Sequence, residues 1–84
     1  MTELETLKKK IIYRSNYRGT KEMDILLSSF VKKYVNKLSL IDLKDLYNFL
    51  NLEDEAIFKF YKNGNFVGEL KDNYITNLFK NFKV

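Results

Sequence analysis

Two short stretches set several side chains able to handle a proton or an anion close together. One is Glu53-Asp54-Glu55. The other runs Tyr13-Arg14-Ser15-Asn16-Tyr17-Arg18-Gly19-Thr20-Lys21-Glu22-Met23-Asp24. Acid–base and nucleophilic catalysis need a group that changes protonation near neutrality. The 84 residues contain neither His nor Cys, so that work would fall to a carboxylate or to a perturbed Lys or Tyr. Glu22 and Asp24 are two apart and diverge on a helix. Glu53, Asp54 and Glu55 are consecutive and suit a first helical turn, where acids complement the dipole. Gly19, Gly64 and Gly68 are scattered, which leaves no phosphate-cradling glycine loop. No calcium-loop spacing occurs. The inventory points away from an enzyme and from a metal site.

The basic-aromatic stretch Lys8-Lys9-Lys10-Ile11-Ile12-Tyr13-Arg14-Ser15-Asn16-Tyr17-Arg18 is more informative. Arg14 and Arg18 are the only arginines. Four residues apart at the end of one helix, they share a face, and Tyr13 and Tyr17 share the neighbouring one. Glycine inside a helix costs about 1 kcal/mol relative to alanine but is favoured at helix ends, where it can adopt positive φ. Gly19 is therefore expected to mark a corner, with Arg18 on it facing outward. Tyr and Arg are enriched at the energetic centres of protein interfaces. Lys and Arg mixed with Tyr could equally contact phosphates and stack on bases. A third reading is a plain amphipathic helix, with Tyr leaning on the core and Arg solvated. The residues alone leave these open.

Five segments with helical period must position these groups. The first is expected at 3–17: Thr2 and Glu5 have capping-box spacing, and Leu4, Leu7 and Ile11 fall on one face with Ile12 beside it. The second, 21–36, carries Met23, Leu26, Leu27, Phe30, Val31, Tyr34 and Val35 at unbroken helical spacing. Glu22 and Asp24 occupy its first turn; Lys32, Lys33 and Lys37 lie near its other end. The third, 40–50, has Ser39 as N-cap and a Leu43, Leu46, Tyr47, Leu50 stripe. The fourth, 53–62, points Ile57, Phe60 and Tyr61 inward and stops at Asn63-Gly64. That dipeptide could also be a hairpin turn between short strands at 58–60 and 66–67, but the acids ahead of it and the 57/60/61 spacing favour a helix stop. The fifth, 72–82, has Asp72 as N-cap and Ile75, Leu78, Phe79 and Phe82 inward. Short connections suit an all-α antiparallel bundle.

Composition sets the bounds. Eighty-four residues make one domain, 1–84. Hydrophobic residues make up 45% and aromatics 15% of the chain, enough for a core and too many for a disordered tail. The net charge of +4 is milder than that of a dedicated nucleic-acid binder. No apolar run approaches a membrane span, and the acidic start Met1-Thr2-Glu3-Leu4-Glu5 lacks a signal-peptide core. The expectation is a soluble intracellular protein with no membrane insertion.

Residues 12–30, Ile12-Tyr13-Arg14-Ser15-Asn16-Tyr17-Arg18-Gly19-Thr20-Lys21-Glu22-Met23-Asp24-Ile25-Leu26-Leu27-Ser28-Ser29-Phe30, resemble the start of the succinate dehydrogenase assembly factor family, the SdhE-like flavinylation factors of bacteria with mitochondrial relatives. The family motif is Arg-Gly-x-x-Glu, an Asp two residues later, then Leu-Leu and a Phe. Arg18, Gly19, Glu22, Asp24, Leu26, Leu27 and Phe30 match it in order and spacing. The Tyr-Arg-Ser lead-in resembles alphaproteobacterial members. Asn16-Tyr17 departs from the more aromatic or basic pair common before Arg-Gly, and the C-terminal half matches in pattern only.

The resemblance implies a five-helix bundle that is a monomer when free, in the bacterial cytoplasm or the mitochondrial matrix. It implies a chaperone-like assembly factor that binds the flavoprotein subunit of succinate dehydrogenase, and of fumarate reductase as a further candidate. The factor promotes covalent attachment of FAD to a histidine of that subunit. FAD would belong to the partner, with no cofactor bound stably here. The implied partner-binding residues are Arg18, Gly19 and Glu22, extended by Tyr13, Arg14, Tyr17 and Asp24. Arg18 would hydrogen-bond partner carboxylate or carbonyl groups, Gly19 would permit close backbone approach, and Glu22 would orient Arg18 or pair with a partner cation. The competing classes are a small basic helical module for nucleic acid and an interaction domain for an unrelated protein. The acidic or neutral starts of the second and third segments count against a recognition helix.

Overall fold

Local chemistry at the segment ends decides where each helix begins. The computed structural model describes residues 2–66 and 68–84 and contains α1 (Glu3–Ser15), α2 (Lys21–Tyr34), α3 (Leu40–Leu50), α4 (Asp54–Asn63) and α5 (Tyr74–Lys80). No strand occurs among the described residues. The hydroxyls of Thr2, Thr20 and Ser39 accept from the Glu5, Met23 and Asp42 amides, each at 3.2 Å. Each satisfies one orphan donor of a first turn. At α4, Glu53 makes no side-chain cap, so the helix starts one residue later than its acids suggest.

α5 begins at a full capping box, formed by Asn73 rather than Asp72. The Thr76 amide donates to Asn73 Oδ1 at 2.9 Å, and the Asn73 amide donates to Thr76 Oγ1 at 3.0 Å. Asp72 instead accepts from Asn77 Nδ2 at 2.7 Å. Replacing Asn73 by alanine should cost about 1 kcal/mol, read as a fall in urea midpoint with an unchanged m-value.

α1, α2 and α5 each end two residues earlier than expected, α3 ends where expected, and α4 runs one residue further. In α1, the Ser15 hydroxyl and the Asn16 side-chain amide both donate to the Ile12 carbonyl at 2.8 Å. That carbonyl is taken, so the Asn16 amide turns to Tyr13 O at 3.2 Å and the helix stops. Tyr17 then adopts a left-handed φ of 57°, which reverses the chain. α4 stops as its Asn-Gly predicts: Gly64 has φ 70° in the left-handed region. The alternative strand at 66–67 is not formed at Phe66, and Val67 lies outside the described residues. α5 ends in a tight turn, with the Phe82 amide on Phe79 O at 3.1 Å.

The helix stripes converge on one core. Met23, Leu26, Leu27, Phe30, Val31 and Val35 of the α2 segment are buried with Leu43, Leu46, Leu50, Ile57, Phe60, Ile75, Phe79 and Phe82. Phe49 and Leu70 join them. Phe79 is the aromatic hub. Its ring meets Phe30 of α2 at 5.2 Å, Phe49 of α3 at 5.0 Å and Tyr61 of α4 at 5.1 Å, within the favoured range for aromatic pairs. Tyr61 is only half-buried, and its hydroxyl donates to Phe82 O at 2.6 Å. α1 packs across α2 and α3, burying Ile11 but leaving Leu4 and Ile12 largely exposed. Leu4 thus falls outside the core expected for it. No helix of the described residues is long and apolar enough to cross a membrane.

Candidate partner-binding site

The link between α1 and α2 folds back under the end of α1, against the link between α3 and α4. Arg18 does not face outward. Its side chain is only 8% exposed and points into the α3–α4 link. Nε donates to Asp54 Oδ1 at 2.7 Å. Nη1 donates to the carbonyls of Arg14 at 2.9 Å and Leu50 at 2.8 Å. Nη2 reaches Leu52 O at 3.2 Å and pairs with Asp54 Oδ1 at 2.6 Å. Four of the five guanidinium N–H donors thus make hydrogen bonds, and the ion pair to Asp54 adds to them. The cause of the reversal is the left-handed Tyr17: had α1 run on through residue 17, Arg18 would have shared the outer face of Arg14.

Two acids complete the clamp. Asp54 Oδ2 accepts the Gly19 amide at 2.7 Å. Asp24 Oδ1 accepts the Arg18 amide. Asp24 therefore closes the corner from within α2. Its place in the motif has a local structural use, between capping and contact. Gly19 is not one of the residues with positive φ; those are Tyr17, Gly64 and Gly68. A Cβ at Gly19 would instead lie 3.0 Å from Asp54 Oδ2. Glycine here answers a close approach, not a left-handed backbone.

With Arg18 turned inward, the exposed side chains among the expected residues are Tyr13, Arg14, Tyr17 and Glu22, and the Gly19 backbone is exposed beside them. Tyr13 and Tyr17 are 66% and 83% exposed, and their rings stack at 5.6 Å with a 50° tilt. They flank a shallow polar cleft of about 440 Å³ whose floor includes Arg18, Gly19, Asn51 and Asp54. Glu22 does not orient Arg18. It is exposed, makes no ion pair among the described residues, and lines a small apolar hollow with Met23 and Phe58. Of the expected residues, Arg18, Gly19 and Asp24 form the frame, whereas Tyr13, Arg14, Tyr17 and Glu22 form the exposed surface. The basic-aromatic stretch keeps one free arginine instead of two, which weakens its fit to a phosphate backbone.

Sequence reasoning missed Asp54. It was grouped with Glu53 and Glu55 as dipole complement, and nothing in the triplet marks it except that it alone is aspartate. The carbonyls of Leu50 and Leu52 carry no residue-type signal at all.

Residues 9–83 match the family model described as flavinator of succinate dehydrogenase. The chain is 40% identical over 58 residues to succinate dehydrogenase assembly factor 2, mitochondrial, of Dictyostelium discoideum, covering 69% of this chain and 41% of that protein. It is 33% identical over 54 residues to FAD assembly factor SdhE of Acetobacter pasteurianus, covering 64% and 50%. Against succinate dehydrogenase assembly factor 2-B, mitochondrial, of Drosophila yakuba it is 50% identical over 36 residues, covering 43% and 23%. The chain thus spans half or less of the length of these relatives. No solved structure matches it.

Proposed function

The chain belongs to the family of succinate dehydrogenase flavinators, and from that premise we propose that it binds the flavoprotein subunit of succinate dehydrogenase and promotes covalent attachment of FAD there. The carrying observation is the clamped corner: a buried arginine with four side-chain hydrogen bonds and an ion pair holds an exposed tyrosine pair and an exposed carboxylate in fixed relation. Such a surface suits docking, since Tyr supplies contact area at low conformational cost and a pre-shaped site loses little entropy on binding. The chain holds no His or Cys, so the linking histidine and the flavin both belong to the partner, and the factor acts by positioning. FAD is accordingly the partner's cofactor rather than a ligand of this chain.

In this reading Tyr13, Tyr17, Arg14 and Glu22 make the contacts. Arg18, Gly19 and Asp24 act through the shape they impose. Co-expression with the flavoprotein subunit, followed by in-gel flavin fluorescence of the denatured subunit, tests it directly. The expected result is a several-fold rise in covalent flavin over the subunit alone. Tyr17→Ala should weaken association about 10–30-fold, the scale of a hot-spot tyrosine, with far-UV circular dichroism unchanged. Equal flavin with and without the factor would overturn the proposal.

A further inference from the structure

Asp54 lies outside the motif, yet it touches both of the motif's first two residues. Oδ1 accepts from Arg18 Nε at 2.7 Å and forms an ion pair with Nη2 at 2.6 Å. Oδ2 accepts from the Gly19 amide at 2.7 Å. A carboxylate held on three sides cannot yield easily. A Cβ at Gly19 would meet it at 3.0 Å, at the floor of real contacts, and no positive φ stands in the way of alanine there. The same carboxylate is three-quarters shielded, so its bonds to Arg18 are strengthened by the lower local dielectric.

We propose that Asp54 is a positioning residue of the docking site, and that glycine is required at 19 to admit the Asp54 carboxylate rather than to admit the partner. This deepens the docking reading above and rests on it for its functional consequence. Asp54 lies in the floor of the cleft, beneath the exposed Tyr13 and Tyr17. It fixes the Arg18–Gly19 backbone, and through Tyr17 the stacked tyrosine pair. Any side chain at 19 displaces Asp54, frees the Arg18 fork and lets the corner drift. Gly19 and Asp54 are therefore one unit, and their substitutions must be non-additive.

The test is a double-mutant cycle of Gly19→Ala and Asp54→Ala in the full chain, with two readouts. One is affinity for the flavoprotein subunit. The other is the Arg18 Nε–H resonance in 15N NMR of the free protein. Each single variant is expected to weaken association about ten-fold, the double variant no more than Asp54→Ala alone, and Gly19→Ala should move the Nε–H signal toward its position in Asp54→Ala. Ile75→Val, a conservative core change remote from the corner, should lower stability but leave affinity and the Nε–H signal in place. A Gly19→Ala factor equal in both backgrounds, or an Nε–H signal unmoved by Gly19→Ala, overturns the proposal. Should Asp54→Ala unfold, Asp54→Ser, which keeps a small polar residue in the first turn of α4, replaces it with the same outcomes. If the parent protein fails to bind the subunit, the docking reading falls, while the NMR arm still decides the Asp54–Gly19 coupling.

Discussion

Replacing Arg18 by alanine should lower the melting temperature by about 10–20 °C, from a loss of about 2–4 kcal/mol. The side chain is almost fully buried and engages Asp54 together with the carbonyls of Arg14, Leu50 and Leu52. Removing it strands a partly buried carboxylate and three acceptors at once. The loss is smaller than for a fully enclosed pair because Asp54 keeps some access to water. Arg18→Lys should recover less than half of the deficit, since one ammonium cannot span the carboxylate and the separated carbonyls in the planar geometry of the fork. Calorimetry on both variants checks this. A melting temperature within 3 °C of the parent for Arg18→Ala, about what half a kcal/mol would produce, would show that the clamp contributes little in solution.

Replacing Phe79 by alanine should cost about 3–5 kcal/mol, as for other buried aromatics. Against a total near 4–13 kcal/mol for a chain this size, that approaches global unfolding. The reason is topological as well as volumetric. α5 has seven residues, too few to be helical alone, and Phe79 is the ring by which it grips three other helices. Amide hydrogen exchange should show α5 opening first, ahead of α2 and α3. Phe79→Leu should recover most of the stability, because it restores volume. Equal protection of all five helices in the parent protein would contradict that order.

The fold was largely legible from the chain itself. The α2 stripe, the Ser39 cap and the Asn63-Gly64 stop each rest on local chemistry that tertiary structure did not override. Boundaries drifted where a side chain competes for a backbone group. Ser15 and Asn16 take the Ile12 carbonyl and shorten α1; Asn73 displaces Asp72 as the cap of α5. The motif residues were legible as a set, but not their directions. Helical spacing placed Arg18 on the face of Arg14, and one left-handed residue, Tyr17, sends it the other way. Phe49 and Asp54 were missed for a shared reason. Each is defined by what approaches it from another helix, and that information is not present in its own neighbourhood.

The Arg18 clamp joins residues 32 to 36 positions apart. Its acceptors lie in the link that forms only when α3 and α4 are both in place. During synthesis, α1 and the start of α2 leave the ribosome long before Leu50, Leu52 and Asp54 do, and contacts of such separation close late because the loop between them must first be ordered. The corner thus takes its final shape after α1 and α2 have been made, once the α3–α4 link is available. Its shape depends on the α3–α4 link being in place beneath it.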